Sequence, residues 1–220
     1  IPVLYCGVGK VNAAYALTRR LADYRHGGHA SPHVINFGTA GSRRHPTGNV
    51  VECHAFVQRD MDVSGLGVPL GTTPFDAGVP ARLEFPPVFA QLMPAVCGTG
   101  DSFATTACAV ECDVLDMEGY ALAKVCWLER TRFTAVKWVS DGADHTAGAD
   151  WQANLHHAAE RFLKLYEHLE EKDLLVPSAG SRLAGEREYA FKHVLIRDVA
   201  YSMLPKSVRC RKHVEVAEFI

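Results

Sequence analysis

The sequence lacks an apolar run long enough to cross a membrane, and it lacks an excess of charge of either sign. A membrane-spanning helix needs about 20 consecutive apolar residues, so we expect no membrane partner. The formal net charge is only −2, so no global basic field is available to hold nucleic acid. These two absences leave small-molecule chemistry open and indicate neither a membrane nor a nucleic-acid partner.

Cysteine is present, but without the spacing of a disulfide framework or a metal site. The seven cysteines form an odd set with no C-x-x-C pair, and most of them lie inside apolar runs. We interpret them as reduced, buried thiols of a reducing compartment. Cys108 and Cys112 are one helical turn apart, yet no second close Cys/His pair completes a tetrahedral zinc set. We therefore expect no metal and no cofactor.

Apolar runs of strand length alternate with helical patterns over most of the chain. The patterns predict strands at 3–6, 33–37, 50–58, 95–98, 114–117 and 133–139. They predict helices at 12–24, 118–130 and 150–171, whereas the Gly- and Pro-rich stretch 64–87 is typical of a loop. This alternation of strands and helices predicts an α/β sheet with helices on both faces.

A change of composition near residue 177 divides the chain. Residues 176–185 have the composition of a linker, residues 1–175 form the predicted α/β domain, and residues 186–220 have a helical pattern. The chain opens inside a strand-like run, so we expect the first domain to be N-terminally incomplete.

The turn at residues 7–10, with sequence GVGK, is similar to a nucleotide-phosphate loop but fails both tests for one. A P-loop requires glycine at position 4 and serine or threonine at position 11, where Leu4 and Val11 stand. A dinucleotide-binding turn requires a third glycine where Asn12 stands. We predict a tight strand-to-helix turn.

Polar groups follow several predicted strands at their carboxyl ends, where α/β sheets bind ligands. These segments are 38–41 (GTAG), 98–103 (GTGDSF), 116–118 (DME) and 140–141 (SD). Each has an ordinary structural explanation alone: a turn, a carboxylate at a helix N-terminus or a helix cap. Their order and combination carry more information than any one of them.

The ordered set resembles the 5′-methylthioadenosine/S-adenosylhomocysteine nucleosidases of the nucleoside phosphorylase superfamily. The matching segments are GVGKVNAA at 7–14, VINFGTAG at 34–41, GDSF at 100–103, DMEG at 116–119 and VSDGAD at 139–144. The resemblance spans roughly residues 1–170. It implies a three-layer α/β/α nucleoside phosphorylase-like fold with a central mixed sheet, and hydrolysis of the N-glycosidic bond of 5′-modified adenosines such as methylthioadenosine, S-adenosylhomocysteine or 5′-deoxyadenosine.

The resemblance also implies roles for the residues around the reacting bond. Asp141 would donate a proton to purine N7 as the bond breaks, and Ser140 would orient its carboxyl group. The two oxygens of Glu118 would accept hydrogen bonds from both ribose hydroxyls. Met117 would pack against the sugar, and Asp116 belongs to the same substrate-binding motif.

The purine and the water are assigned to other segments. Phe103 would stack on the purine, and the backbone of Ala104 would contact its edge. Thr39 would help to place the water near the anomeric carbon.

The choice between water and phosphate as nucleophile stays open at this point. One phosphorylase branch carries an arginine where Asn36 stands, which favours hydrolysis, but Arg43 and Arg44 follow closely and could bind an anion. In the family a glutamate near the first strand activates the water. Neither Glu52 nor Asp60 lies in an equivalent motif, so the sequence predicts no general base for the water.

Residues 186–220 are similar to a helical segment of signalling ATPases and cyclase-linked regulators, or they form a plain helical extension. A nucleoside-sensing module without turnover is therefore the alternative to an enzyme. The resemblance further implies a cytoplasmic homodimer that acts on a small-molecule nucleoside in methionine salvage.

Overall fold

The computed structural model describes residues 4–76, 78–106, 108–152 and 154, and the backbone of 176–177 and 189–190. Contacts divide the chain into a compact unit, Tyr5–Leu155, and a second unit of Ile1–Leu4 with His156–Ile220. The first unit contains helices α1 (Lys10–His26) and α2 (Gly119–Leu128). Its strands are β1 (His33–Gly41), β2 (Val50–Gln58), β3 (Arg82–Glu84), β4 (Met93–Thr99), β5 (Val114–Asp116) and β6 (Arg132–Asp141). Residues 147–152 begin a further helix.

The six strands form a central mixed sheet that closes on itself. Strands β2, β4 and β5 pair in parallel, and so do β1 and β6. Antiparallel contacts between β1 and β5, and between β2 and β6, complete the ring. Short β3 adds to β2 at the outside. The predicted α/β architecture with a central mixed sheet is confirmed.

Apolar packing explains why these segments adopt this fold. In β6 every residue from Phe133 to Asp141 is buried, so both faces of the strand are covered and its sequence does not alternate between apolar and polar residues. Phe56, Phe85 and Phe133 form an aromatic cluster with ring centroids 5.2–6.1 Å apart. Helix α2 is buried along most of its length and packs against α1 and the sheet.

Three sequence-based boundaries require correction. Residues 4–6, predicted as part of a strand, belong to no strand among the described residues, and Tyr5 is 59% exposed. Strand β3 lies inside the predicted loop 64–87, because three residues with only Leu83 buried give no readable period. Strand β1 continues through the GTAG segment, which is extended rather than a turn.

The predicted linker 176–185 and helical extension 186–220 lie outside the described residues, apart from two short strands. These are β7 (Val176–Pro177) and β8 (Tyr189–Ala190), which pair antiparallel. Tyr189 and Ala190 are thus extended where the pattern predicts a helix, because pairing with β7 supplies the backbone contacts that a helix would otherwise provide. Within the described part of the chain, no helix is both long and apolar enough to cross a membrane.

Candidate active site

A cavity of about 430 Å³ opens where β1, β5 and β6 end, and the loop after β4 and the helix beginning at 147 complete its walls. Strands β1 and β6 are parallel and end side by side, and the antiparallel pairing of Gly41 with Leu115 brings the end of β5 to the same place. Every site residue predicted from the sequence lines the cavity: Thr39, Phe103, Ala104, Asp116, Met117, Glu118, Ser140 and Asp141.

Asp141, the last residue of β6, is held at the cavity wall with 3% of its surface exposed. The Ser140 hydroxyl donates to Asp141 Oδ2 at 2.7 Å, and the Ala143 N–H donates to Oδ1 at 3.0 Å. Each carboxyl oxygen therefore has one protein donor and retains capacity for a further proton or partner. Such an oriented carboxyl group is suited to general acid catalysis.

Gly41 allows the Asp141 carboxyl group to approach the end of β1. A Cβ atom placed on Gly41 would lie 2.5 Å from Asp141 Oδ1, too close for any real contact. The glycine in the GTAG segment is thus required by a close approach of the acid rather than by a turn. Gly41 belongs to the GTAG motif but was not predicted as a site residue.

Glu118 faces the cavity beside the turn that starts α1. The N–H of Gly9 donates to Glu118 Oε1 at 2.8 Å, and Gly9 has the left-handed φ of 89° that favours glycine. Burial raises the pKa of the Glu118 carboxyl group, although the Lys137 ammonium and the Gly9 N–H oppose that shift. The GVGK turn therefore supports a carboxylate, which is consistent with its failure as a phosphate loop.

A buried ion pair lies directly behind Glu118. Lys137 Nζ is 2.7 Å from Asp116 Oδ2, and both side chains are 1% exposed. Thr99 donates its hydroxyl proton to Asp116 Oδ1 at 2.5 Å, and the Gly119 N–H donates to Oδ2 at 2.8 Å. Burial raises the pKa of Asp116, but the Lys137 ammonium and the Thr99 hydroxyl outweigh it, so the net shift is downward. Both Asp116 oxygens thus have protein partners.

The helix beginning at 147 contributes two hydrogen-bond donors to neighbouring strand ends. The indole N–H of Trp151 donates to Thr39 Oγ1 at 3.1 Å, and Asn154 Nδ2 donates to the Ser140 carbonyl at 3.1 Å. Trp151 also lines the cavity. Neither residue was predicted, because both lie beyond the last motif segment, 139–144.

Phe103 and Ala104 form the wall contributed by the loop after β4. The Phe103 side chain is 48% exposed, which leaves a ring face available for a planar ligand. Arg59 supports this loop, since its guanidinium group donates to the carbonyl oxygens of Gly100 and Ser102. Arg59 lines the cavity as well and was missed by the sequence analysis, because it follows a strand without a recognisable motif.

Four charged residues considered in the sequence analysis have partners away from the cavity. Arg44 Nη1 is 2.8 Å from Asp113 Oδ1, and Arg43 donates to the Ala143 carbonyl. Glu52 accepts hydrogen bonds from the N–H groups of residues 88 and 89, and Asp60 pairs with Lys10 at 2.6 Å. None of the four lines the cavity. Among the described residues, no cluster of His, Cys, Asp or Glu could hold a metal ion.

Sequence comparison connects this chain to known enzymes. The phosphorylase superfamily model matches residues 1–171. A 5′-methylthioadenosine/S-adenosylhomocysteine nucleosidase of Marinomonas sp. (strain MWYL1) is 31% identical over 180 residues, which cover 73% of this chain and 76% of the relative. The chain belongs to this nucleosidase family.

Solved nucleosidase structures share the fold. The Neisseria meningitidis nucleosidase in complex with methylthio-immucillin-A superposes with a TM-score of 0.58 at 26% identity, over 68% of this chain and 71% of that chain. The Helicobacter pylori nucleosidase gives a TM-score of 0.64 at 21% identity, over 76% and 78%, and at that identity it supports the fold alone. The nucleoside phosphorylase-like fold predicted from the motifs is therefore confirmed.

Proposed function

We propose that this chain hydrolyses the N-glycosidic bond of 5′-modified adenosines and releases adenine. The observation that carries the proposal is the meeting of Asp141, Glu118 and Phe103 in one cavity. These side chains provide a proton donor, an acceptor for vicinal hydroxyls and an aromatic surface for a purine. Each of the three comes from a different strand end or loop, so their convergence is a property of the fold.

The proposed reaction begins with a proton on Asp141. The carboxyl group, oriented by Ser140, transfers this proton to purine N7 while the electron pair of the C1′–N9 bond moves into the base. Positive charge then develops on the sugar, next to Met117 and the Glu118 carboxylate. Water forms a bond to C1′ and releases one proton to solvent, and Asp141 takes up one proton from solvent, so that adenine, the free sugar and the protonated acid result.

The surroundings of Asp116 support a positioning role for it. Its two oxygens are already bonded to Lys137, Thr99 and the Gly119 N–H, so we propose that it fixes the start of α2 and hence Glu118. Thr39 is proposed to contact the attacking water from the end of β1. For the group that activates this water, the described cavity-lining residues offer no carboxylate beyond Asp116, Glu118 and Asp141.

The arginine geometry favours water over phosphate as the nucleophile. A phosphate dianion needs cationic donors directed into the cavity, and Arg43 and Arg44 are bonded elsewhere. Arg59 is the one cationic side chain among the described lining residues, and it is bonded to the loop at 100–103.

The test is adenine release from methylthioadenosine in phosphate-free buffer, followed by addition of phosphate. We expect free adenine at the same rate in both conditions. A strict phosphate requirement with a sugar 1-phosphate product would identify a phosphorylase. Binding of adenine and methylthioadenosine without release would identify the nucleoside-sensing module.

We propose a cytoplasmic location and a role in methionine salvage. All six cysteines in the described part of the chain are free, which fits the cytoplasm, and the nucleosidase activity would place the protein in methionine salvage.

We also propose a homodimer, since Val8, Val11 and Tyr15 expose an apolar surface at 63–78% beside the cavity. Light scattering at assay concentration tests the dimer, and a monomeric mass would reject it.

A further inference from the structure

The contact between Trp151 and Thr39 has a fixed direction. An indole N–H is only a donor, whereas a threonine hydroxyl has one proton to donate and two lone pairs to accept with. The 3.1 Å contact between Trp151 Nε1 and Thr39 Oγ1 therefore occupies a lone pair of Thr39. The hydroxyl proton of Thr39 is left for a different partner.

That partner lies outside the protein groups that the structure describes. Thr39 Oγ1 has no second hydrogen bond to the described residues, and Thr39 lines the cavity together with Ser140 and Asp141. A free hydroxyl rotates to suit either a donor or an acceptor. Because Trp151 supplies the donor, the Thr39 hydroxyl is biased to act as a donor toward the cavity.

Asn154 makes this arrangement more rigid. Its Nδ2 donates to the Ser140 carbonyl at 3.1 Å, three residues after Trp151 and hence on the same face of the helix. The helix is thus bonded to the ends of both β1 and β6. These two contacts hold the Trp151 indole group within hydrogen-bonding distance of Thr39.

We infer that Trp151 is a positioning residue, whose indole N–H makes the Thr39 hydroxyl a hydrogen-bond donor to the water that attacks the sugar. This inference rests on the proposed nucleosidase function. A water that accepts a hydrogen bond from Thr39 keeps its second lone pair for C1′, and one of its two protons leaves as the C1′ hydroxyl group forms. No bond to Trp151 or Thr39 forms or breaks during the reaction.

The test compares Trp151→Phe with Thr39→Val and with the double variant, using the full chain. Phenylalanine retains an aromatic ring but has no N–H. We expect Trp151→Phe to lower kcat by about tenfold, near the upper end for one neutral hydrogen bond, with little change in KM. In the Thr39→Val background the same substitution should have no further effect on kcat, because Trp151 acts only through the Thr39 hydroxyl group.

Trp127→Phe is the matched control. It makes the same chemical change at a tryptophan that contacts Phe85 edge to face, away from the cavity, and kcat should stay at the wild-type value. Equal kcat for Trp151→Phe and wild type, or multiplicative losses in the double variant, would overturn the inference.

A second measurement does not depend on turnover. The indole N–H signal of Trp151, assigned by its loss in Trp151→Phe, should exchange slowly with solvent in wild type and in Thr39→Ser. It should shift and exchange faster in Thr39→Val. An unchanged signal in Thr39→Val would show that the hydrogen bond is absent and would reject the inference. If this signal behaves as expected but wild-type protein releases no adenine, the proposed function fails, and the positioning role fails with it.

Discussion

At the scale of single residues, Asp141 and Asp144 provide an internal comparison. Asp141 lines the cavity, whereas Asp144 accepts hydrogen bonds from the backbone and hydroxyl of Thr146 and lies outside it. Asp141→Asn cannot deliver a proton, so we expect kcat to fall by about 10²–10⁴-fold with little loss of ligand affinity. Asp144→Asn should keep near-normal kcat. If Asp144→Asn has the larger effect, Asp144 is the acid and Asp141 is structural.

Glu118 is expected to affect binding more than turnover. Glu118→Gln keeps the shape but replaces one acceptor oxygen by a donor, so nucleoside affinity should fall while free adenine still binds. Calorimetric titration with adenine and with a nucleoside analogue separates the two effects. Equal losses for both ligands would mean that Glu118 does not contact the ribose.

Protonation of the Glu118 carboxyl group should make nucleoside affinity depend on pH. Burial raises the pKa of Glu118, so the group takes up a proton at a higher pH than an ordinary glutamate and loses its acceptor character there. Nucleoside affinity should therefore decline as the pH falls, beginning above the ordinary glutamate range. Titrations at several pH values check this, and the part of the decline caused by Glu118 should be missing in Glu118→Gln. Identical pH profiles for the two proteins would contradict the assignment.

Gly41 can be tested by adding a single methyl group. Gly41→Ala places a Cβ 2.5 Å from Asp141 Oδ1, so the carboxyl group must move and kcat should fall by about 10²-fold, as expected for a displacement on the order of 1 Å. Gly65→Ala is the control, because a Cβ there has no atom within 4 Å and no positive φ. Comparable activity of the two variants would show that the position of Asp141 tolerates displacement.

At the scale of secondary-structure elements, the Lys137–Asp116 pair connects β6 to β5. Lys137→Met leaves Asp116 buried without a cation, which should cost about 3–5 kcal/mol of unfolding free energy. Lys124→Met removes a cation from the more exposed pair with Asp76 and should cost less than about 1 kcal/mol. Chemical denaturation of both variants measures the difference.

The pH dependence of Lys137→Met gives an independent check. In wild type the depressed pKa of Asp116 stabilises the fold above the unfolded-state pKa, and this contribution is lost as the pH falls through the folded pKa. Without Lys137, protonation of Asp116 relieves the buried charge. The deficit of the variant should therefore shrink toward low pH, and a deficit that is constant with pH would contradict the role of the ion pair.

Periodicity predicted the elements well where the packing is regular. Strand β2 has the predicted bounds, and α1 extends the predicted helix by two residues at each end. The ends of elements and the short elements were harder to predict from the sequence. Whether β3 and residues 4–6 form strands depends on pairing with another strand, which periodicity does not show. In the site, motif order was enough to find Asp141 and Glu118. Trp151 and Arg59 were missed, since their contribution depends on contacts 112 and 41 residues away along the chain.

At the scale of the whole molecule, the compact unit Tyr5–Leu155 contains every described residue that lines the cavity. We predict that removal of residues 178–220 leaves thermal unfolding of the remaining chain and its adenine affinity nearly unchanged, because the family match ends at residue 171. Calorimetry on the two chain lengths tests this. Collapse of the shorter chain would show that the C-terminal segment completes the core.

The proposed hydrolysis requires water to attack the sugar carbon of a 5′-modified adenosine within this cavity. Reaction of methylthioadenosine in water enriched in ¹⁸O, followed by mass spectrometry of both products, measures this directly. We predict unlabelled adenine and a sugar that carries one ¹⁸O at the anomeric position, formed by wild type and nearly abolished in Asp141→Asn. Unchanged methylthioadenosine, or an unlabelled sugar phosphate formed only with added phosphate, would contradict it.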